Sequence, residues 1–218
     1  MKKLICLCAS ALFLTACPKK SDPIENARVA AKDKDLQKTF VSECQAAPGT
    51  AVGTALSTLF QGKTAGYKTT WRFTGDNVLK KLEAYDNTKC EGDANYQYEE
   101  SGTFDVNKGQ DVKSNDGGYP LDVTFTKVTL KVISDEGIKV ANAGKMCGFE
   151  GWAKDKEQNV TKESKDANCY GAAYGQDGKR QVFSRYRVDN KILALGTEEA
   201  KNPRERPAKL EAAKYFQK

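Results

Sequence analysis

Residues 67–77 read YKTTWRFTGDN, and this short stretch decides the fold class. Tyr67, Trp71 and Phe73 occupy alternate positions, so in an extended strand they share one face while charged and hydroxyl side chains share the other. A Gly-Asp-Asn run follows at residues 75–77, and these residue types make tight turns. Residues 78–85 then supply a partner strand, so the pattern predicts a β-hairpin.

Strand-like segments recur along the rest of the chain, at residues 36–44, 95–106, 121–132 and 180–196. Within the third, apolar residues occupy odd positions up to residue 125 and even positions from residue 128 on. This change of phase predicts a β-bulge near Thr126, which bends a strand as a barrel requires. About eight short strands joined by turns favour an all-β fold, a single antiparallel up-and-down barrel.

The segments flanking and interrupting the strands have different compositions. Residues 46–66 are small, apolar and Gly-rich, and we expect a loop with a short helix at residues 54–61. This loop either covers the barrel mouth as a lid or packs over one end. Residues 203–218 are rich in Ala, Lys and Glu, so the sequence predicts a short C-terminal helix. The predicted domains are therefore a barrel over 36–197 and a helical tail over 198–218.

The N-terminus has the pattern of an export signal. Two lysines precede an apolar stretch at residues 4–14, which is shorter than the ~20 residues of a membrane-spanning helix. The run Leu-Thr-Ala-Cys that ends at Cys17 resembles the bacterial lipobox. The resemblance implies that residues 1–16 are removed, that Cys17 is acylated, and that residues 17–35 form a lipidated tether. Pro18 stands where an inner-membrane lipoprotein tends to have Asp, which implies an outer-membrane lipoprotein facing the periplasm or the surface.

Charge and cysteine content limit the possible partners. The sequence has 35 basic and 29 acidic residues, and the signal contains two of the basic ones, so the mature chain has 33 against 29. A mild, interspersed excess does not resemble a nucleic-acid surface. Four cysteines remain after the signal and Cys17 are set aside, and three pairings are possible. In an oxidising compartment we favour two disulfide bonds that join pairs near in sequence, Cys44–Cys90 and Cys147–Cys169. Because no pair has Cys-x-x-Cys spacing, a metal site is disfavoured.

The mature chain offers no recognisable catalytic or cofactor signature. It contains no histidine, which excludes Ser-His-Asp and Cys-His nucleophile systems and removes the commonest metal ligand. Glu99 and Glu100 are adjacent, so on a strand they point to opposite faces and cannot act as a paired acid and base. We therefore expect a protein that is not an enzyme and holds no cofactor or metal.

Five short runs are similar to motifs of bacterial lipocalin-like domains. Residues 40–44 (FVSEC) resemble a Trp-x-Ser-x-Cys opening with Phe in place of Trp, and residues 73–77 (FTGDN) resemble a Phe-x-Gly-Asn hairpin. Residues 85–90, 102–104 and 191–196 resemble a Tyr-x-Asp-x-x-Cys stretch, a Gly-x-Tyr strand and a closing Leu-x-Leu-Gly strand. The resemblance implies a lipocalin-like barrel with a possible internal cavity, and it names no ligand.

Aromatic residues on the predicted inner face are the candidate ligand contacts. They are Tyr67, Trp71, Phe73, Tyr96, Tyr98 and Phe125. These side chains either line a cavity for a small apolar or amphipathic molecule or fill the barrel core. The first case predicts a ligand-binding lipoprotein, anchored to the membrane through acyl chains. The second predicts a structural or protein-interaction lipoprotein without a ligand. The sequence leaves the oligomeric state open.

Overall fold

A computed structural model describes residues 33–47, 64–106, 117–164, 169, 174–197 and 200–218. The strands of this part are β1 (Thr39–Ser42), β2 (Gln45–Ala46), β3 (Gly66–Thr74), β4 (Asn77–Tyr85), β5 (Tyr96–Val106), β6 (Tyr119–Val132), β7 (Glu157–Asn159), β8 (Arg180–Asp189), β9 (Ile192–Leu195) and β10 (Lys214–Gln217). Its α-helix is α1 (Asp135–Ala143), and 3-10 turns lie at Met146–Gly148 and Pro203–Glu205.

Eight of these strands form a closed antiparallel barrel. Its order is β1-β3-β4-β5-β6-β8-β9-β10, and β1 closes the circle because it pairs with both β3 and β10. The short β2 and β7 add to β3 and β6. The predicted fold class is confirmed: the architecture is that of a lipocalin-like barrel with one short helix in the described residues.

The predicted hairpin and bulge are both present. β3 and β4 pair along their whole length, from Gly66 opposite Tyr85 to Thr74 opposite Asn77. Between β5 and β6 the register shifts where Ser101 faces Lys127 and Gly102 faces Phe125, so Thr126 is the extra residue. The bulge lets apolar side chains face inward on both sides of the phase change.

The C-terminal segment differs from the prediction. Residues 203–218 contain a 3-10 turn and the strand β10, so the predicted helical tail is wrong and the barrel extends to residue 217. Pro207 disfavours a helix that would continue from the 3-10 turn beginning at Pro203. β10 fills the gap between β1 and β9 and pairs with both, and Tyr215 packs into the core. Ladder hydrogen bonds on both edges therefore outweigh the local helix preference of Ala, Lys and Glu.

The short helix lies instead between β6 and β7. Ser134 caps α1, because its hydroxyl accepts a hydrogen bond of 2.9 Å from the Gly137 backbone N–H. The Tyr96 hydroxyl donates to the Gly137 carbonyl at 3.3 Å, which ties α1 to β5. α1 and the turn at Met146–Gly148 thus cover the end of the barrel where β5 begins.

Two large apolar clusters fill most of the core, and a small third cluster contains Tyr85, Cys90 and Ala94. The helix-side cluster joins the β3–β6 inner face to α1 and the chain beyond it, and includes Tyr67, Leu82, Tyr96, Tyr98, Val128, Leu130, Ala141, Met146, Trp152 and Val160. The turn-side cluster lies nearer the β3–β4 turn, and includes Leu36, Phe40, Trp71, Phe73, Phe104, Leu121, Phe125, Val182, Tyr186 and Tyr215.

Several predictions fall outside the described residues. These are the signal at residues 1–16, the acylated Cys17, most of the tether at residues 17–35 and the helix at residues 54–61. Among the described residues, no helix is both long enough and apolar enough to span a bilayer.

Candidate functional site

Strand alternation places two charged residues inside the barrel. On β5, Glu100 shares the inward face with Tyr96 and Tyr98 and is fully buried. On β4, Lys80 shares the inward face with Leu82 and is 7% exposed. The two residues are direct partners across the β4–β5 ladder. The predicted opposite orientation of Glu99 and Glu100 is confirmed, since only Glu100 faces inward.

Glu100 is the centre of an ionic layer formed by Lys80, Glu100, Tyr174 and Arg180. Arg180 donates from Nε to Oε1 at 3.0 Å and from Nη2 to Oε2 at 2.7 Å. The Tyr174 hydroxyl donates to Oε1 at 2.8 Å, and Lys80 Nζ lies 3.9 Å from Oε2. Two cationic groups thus meet one carboxylate, and the formal charge of the layer is +1.

The ionic layer separates the two apolar clusters. Tyr174 contacts both clusters, and the phenol bonded to Glu100 therefore lies at their boundary. Burial, and next the charge of Glu100, raise the pKa of Tyr174 above the ordinary range for tyrosine. The phenol is therefore neutral and donates its proton to the carboxylate at neutral pH.

Aromatic rings of the turn-side cluster border the ionic layer. Lys80 Nζ lies 5.5 Å from the centroid of the Trp71 ring, and the Arg180 guanidinium lies 4.9 Å from that of Phe125. Both distances suit cation–π attraction. Among the described residues, no acceptor lies within hydrogen-bonding distance of the buried Trp71 Nε1. The layer therefore presents a cationic and hydrogen-bonding surface to an aromatic compartment.

The energetics of this layer point to more than stability. Removing charges from water is expensive, and a buried ion pair is often no more stabilising than apolar side chains of similar volume. Ionisable groups held inside a core by specific partners are candidate functional groups for that reason. Chemically, the layer places cationic groups and hydrogen-bond donors beside the aromatic side chains of the turn-side cluster.

The six predicted ligand contacts are all buried but do not form one group. Tyr67, Tyr96 and Tyr98 belong to the helix-side cluster. The other three, Trp71, Phe73 and Phe125, belong to the turn-side cluster, where the Trp71 ring lies 5.9 Å from Phe73 and 6.2 Å from Phe125. The ionic layer divides the two sets, so the six candidate residues do not line one continuous apolar compartment.

A concave surface lies outside the barrel, beside the bulge. This groove of about 700 Å³ is lined mainly by polar side chains, among them Arg72, Ser101, Thr103 and Lys127. None of the six aromatic side chains lines it. The groove is therefore distinct from the predicted ligand compartment.

Both favoured disulfide bonds are present. Cys44–Cys90 joins the β1–β2 connection to the segment after β4, and its Cα atoms are 5.6 Å apart. Cys147–Cys169 joins the 3-10 turn after α1 to the segment before β8, with Cα atoms 4.5 Å apart. Each bond closes a long loop outside the strand ladders, and the second also belongs to the helix-side cluster.

Sequence reasoning missed all four members of the ionic layer, although the signal for Glu100 was present. Glu100 continues the alternation that makes Tyr96 and Tyr98 inward residues, whereas Lys80 has apolar neighbours on both faces of its strand. Tyr174 and Arg180 join the layer only through tertiary folding. Their segment is far from Glu100 in sequence.

The fold and the site define an eight-stranded antiparallel barrel with a buried ionic layer. No family model matches this chain, and no curated protein matches it either. Within the described residues, no group of three or more His, Cys, Asp or Glu side chains is placed to hold a metal ion.

Proposed function

We propose that this protein is a lipid-anchored envelope protein whose barrel binds a small amphipathic molecule. The observation that carries the proposal is the ionic layer enclosed between two apolar clusters. An amphipathic ligand matches this arrangement of a polar layer beside apolar clusters. Its polar end contacts Lys80, Arg180 and Trp71 Nε1, and its apolar part takes the place of contacts among the aromatic rings. The formal charge of +1 favours a polar end that accepts hydrogen bonds or carries negative charge.

The proposal assigns binding rather than catalysis to the barrel. The carboxylate of Glu100 is engaged by Arg180 and Tyr174, so it is poorly placed to abstract a proton from a ligand. The chain also has no histidine to serve as a general base near neutral pH. We therefore propose a non-enzymatic carrier or sensor of its ligand.

Native mass spectrometry of protein extracted from its own membrane tests ligand binding. We expect a bound mass beyond that of the acylated chain, which is lost on denaturation. Uptake of a fluorescent fatty acid by the delipidated protein gives an independent measure, with Arg180→Gln as the test variant and Arg204→Gln, an exposed residue of the Pro203–Glu205 turn, as the control. Absence of both the bound mass and fatty-acid uptake would exclude this function.

The anchor is tested separately at Cys17. We propose acylation of Cys17 and residence at the outer membrane, supported by the lipobox resemblance and by Pro18. Each buried methylene of an acyl chain contributes ~0.8 kcal/mol to membrane binding, and two or three chains make attachment stable. Cys17→Ser should abolish acyl labelling and release the chain from the membrane fraction. Unchanged labelling of the Ser variant would rule out acylation at this residue.

A second function is supported by the packing of the aromatic side chains. All six candidate residues are at most 4% exposed, and the rings of the turn-side cluster contact one another. A filled barrel held by two disulfide bonds suits a rigid lipoprotein that presents its outer surface to other envelope proteins. A stable fold with no ligand in either binding experiment would favour this alternative.

A further inference from the structure

An apolar row crosses the outer wall of the barrel where its last strand lies. Phe216 on β10 is 39% exposed, the more exposed of the two large hydrophobic side chains that are exposed in the described part of the chain. It is the register partner of Val41 on β1 and of Ile192 on β9. Val41 and Ile192 are half-buried on the same outer face. Three adjacent strands thus present one apolar side chain each to the outside.

The surroundings of this row are predominantly cationic. Lys214 and Lys218 lie two residues before and after Phe216, and both are exposed. Lys191 precedes β9, and its carbonyl accepts a 2.8 Å hydrogen bond from the Gln217 backbone N–H. Arg187 on β8, which lies opposite Ala194 on β9, is also exposed. We call this surface of Val41, Ile192, Phe216 and the four cations the Phe216 wall.

Three acidic residues border the Phe216 wall. Asp189 lies opposite Ile192, Glu43 follows β1, and Glu211 lies three residues before Lys214, where its backbone N–H donates to the Leu195 carbonyl. Four cations against three carboxylates leave the wall with a formal excess of +1. The combination of an aromatic side chain, aliphatic neighbours and surrounding lysines is the composition that binds at the interface of a bilayer containing anionic lipid.

The first strand of the described chain belongs to this same wall. β1 is one of the three strands of the wall, and the Thr39 carbonyl accepts a 3.0 Å hydrogen bond from the Lys218 backbone N–H. Residues 17–33 can span at most about 55 Å when fully extended. An acylated Cys17 would therefore keep the whole barrel, and with it the wall, at a high local concentration near the membrane.

We infer that the Phe216 wall docks on the surface of a bilayer that contains anionic phospholipid. Phe216 enters the interfacial region, and the surrounding lysines contact lipid phosphates. The inference takes its cellular setting from the proposed lipid anchor and adds an orientation: the β1–β10–β9 wall faces the membrane, and the β4–β5 wall faces away from it.

Vesicle binding of the mature chain with Cys17→Ser tests the wall without the acyl chains. We expect binding to vesicles of phosphatidylethanolamine and phosphatidylglycerol, and weaker binding to phosphatidylcholine vesicles or at high salt. Adding Lys214→Glu and Lys218→Glu should weaken binding about tenfold or more, since each lysine near an anionic surface contributes roughly a fivefold factor. Lys154→Glu with Lys156→Glu makes the same change in net charge elsewhere and should have a smaller effect.

A fluorescence measurement on the acylated protein locates the wall directly. Phe216→Trp should be quenched by brominated phospholipid in reconstituted vesicles, whereas Leu79→Trp, on the outer face of β4, should not. Equal weakening by both pairs of Glu substitutions, or equal quenching at both positions, would overturn the inference. If vesicle binding and quenching are as expected but the separate tests find no acyl labelling or no ligand binding, the proposed function alone is contradicted.

Discussion

Arg180 and Glu100 form a two-point hydrogen-bonded ion pair across the inside of the barrel. The bonds measure 3.0 Å from Nε and 2.7 Å from Nη2, and Glu100 is fully buried. The two residues lie on β8 and β5, which are separated in the barrel by β6. The pair therefore links strands that share no backbone ladder, at the level where the two apolar clusters meet.

Neutralising Glu100 should destabilise the protein far more than neutralising its neighbour. Glu100→Gln leaves Arg180 and Lys80 in the interior without their carboxylate, and breaking a buried pair costs about 3–5 kcal/mol. Glu99→Gln changes the outer face of the same strand, and we expect a loss within about 0.5 kcal/mol. Urea unfolding of both variants measures the difference, and similar losses would show that the ionic layer contributes little to folding.

The hairpin and the bulge were predictable because both depend on a period of two. In residues 67–74 the alternation is unambiguous, and the phase change around Thr126 has one simple structural explanation. Lys80 was harder to place, because Leu79 and Leu82 lie on opposite faces and the local pattern admits either phase. The register between β4 and β5 pairs Lys80 with Glu100 and so places Lys80 on the inner face. That register is a property of the assembled sheet.

The C-terminal segment was mispredicted for a related reason. Ala, Lys and Glu favour a helix locally, but β1 and β9 leave an open position in the barrel that only a strand can fill. Tertiary hydrogen bonding then overrides local propensity. The ionic layer and β10 both depend on contacts between residues distant in sequence, so the sequence indicated the barrel and the inward direction of Glu100 but not the partners of Glu100 or the strand β10.

Gly102 is required by the close approach of β5 to β6 at the bulge. A Cβ atom at this position would lie 1.9 Å from the Thr124 carbonyl oxygen and 2.7 Å from Phe125 Cα. Because both atoms belong to the backbone, Gly102→Ala must displace a strand, and we expect a loss of about 1–3 kcal/mol or more. Ser101→Ala, one residue earlier and on the outer face, is the matched control. Thermal unfolding measures the stability of the two variants. A Gly102→Ala variant as stable as the unmodified protein would contradict the register at the bulge.

Alkaline pH should unfold the protein through its buried tyrosines. Burial raises the pKa of Tyr174 and of Tyr186 above the ordinary 10.0, aided by Glu100 and Asp33 respectively. A raised folded-state pKa means that stability is intact below pH 10 and falls as pH rises further, because only the unfolded chain then releases the proton. Each tyrosine should contribute a slope of about 1.4 kcal/mol per pH unit.

Tyr186→Phe isolates one of these contributions. The variant loses the 3.0 Å hydrogen bond to Asp33, so its free energy of unfolding at neutral pH should fall. Above pH 10 its free energy of unfolding should decrease less steeply with pH, because one fewer proton is released on unfolding. Urea unfolding at several pH values, compared with ultraviolet titration of tyrosine ionisation, measures both effects. A slope identical to that of the unmodified protein would mean that Tyr186 ionises in the folded state.

Trp71 and Arg72 provide the sharpest test of both the strand phase and the function. Trp71 is 1% exposed and Arg72 is exposed, so Trp71→Ala should lower the free energy of unfolding by about 3–5 kcal/mol and Arg72→Ala by about 0.5 kcal/mol or less.

If a ligand occupies the turn-side compartment, Trp71→Phe should keep most of the stability and weaken fatty-acid uptake, because it removes Nε1 and retains an aromatic ring. Urea unfolding and fluorescent fatty-acid titration on the same samples separate the outcomes. Unchanged uptake in Trp71→Phe would remove Nε1 from the proposed site, whereas a large stability loss in Trp71→Ala with no uptake in any variant would favour the filled, structural barrel.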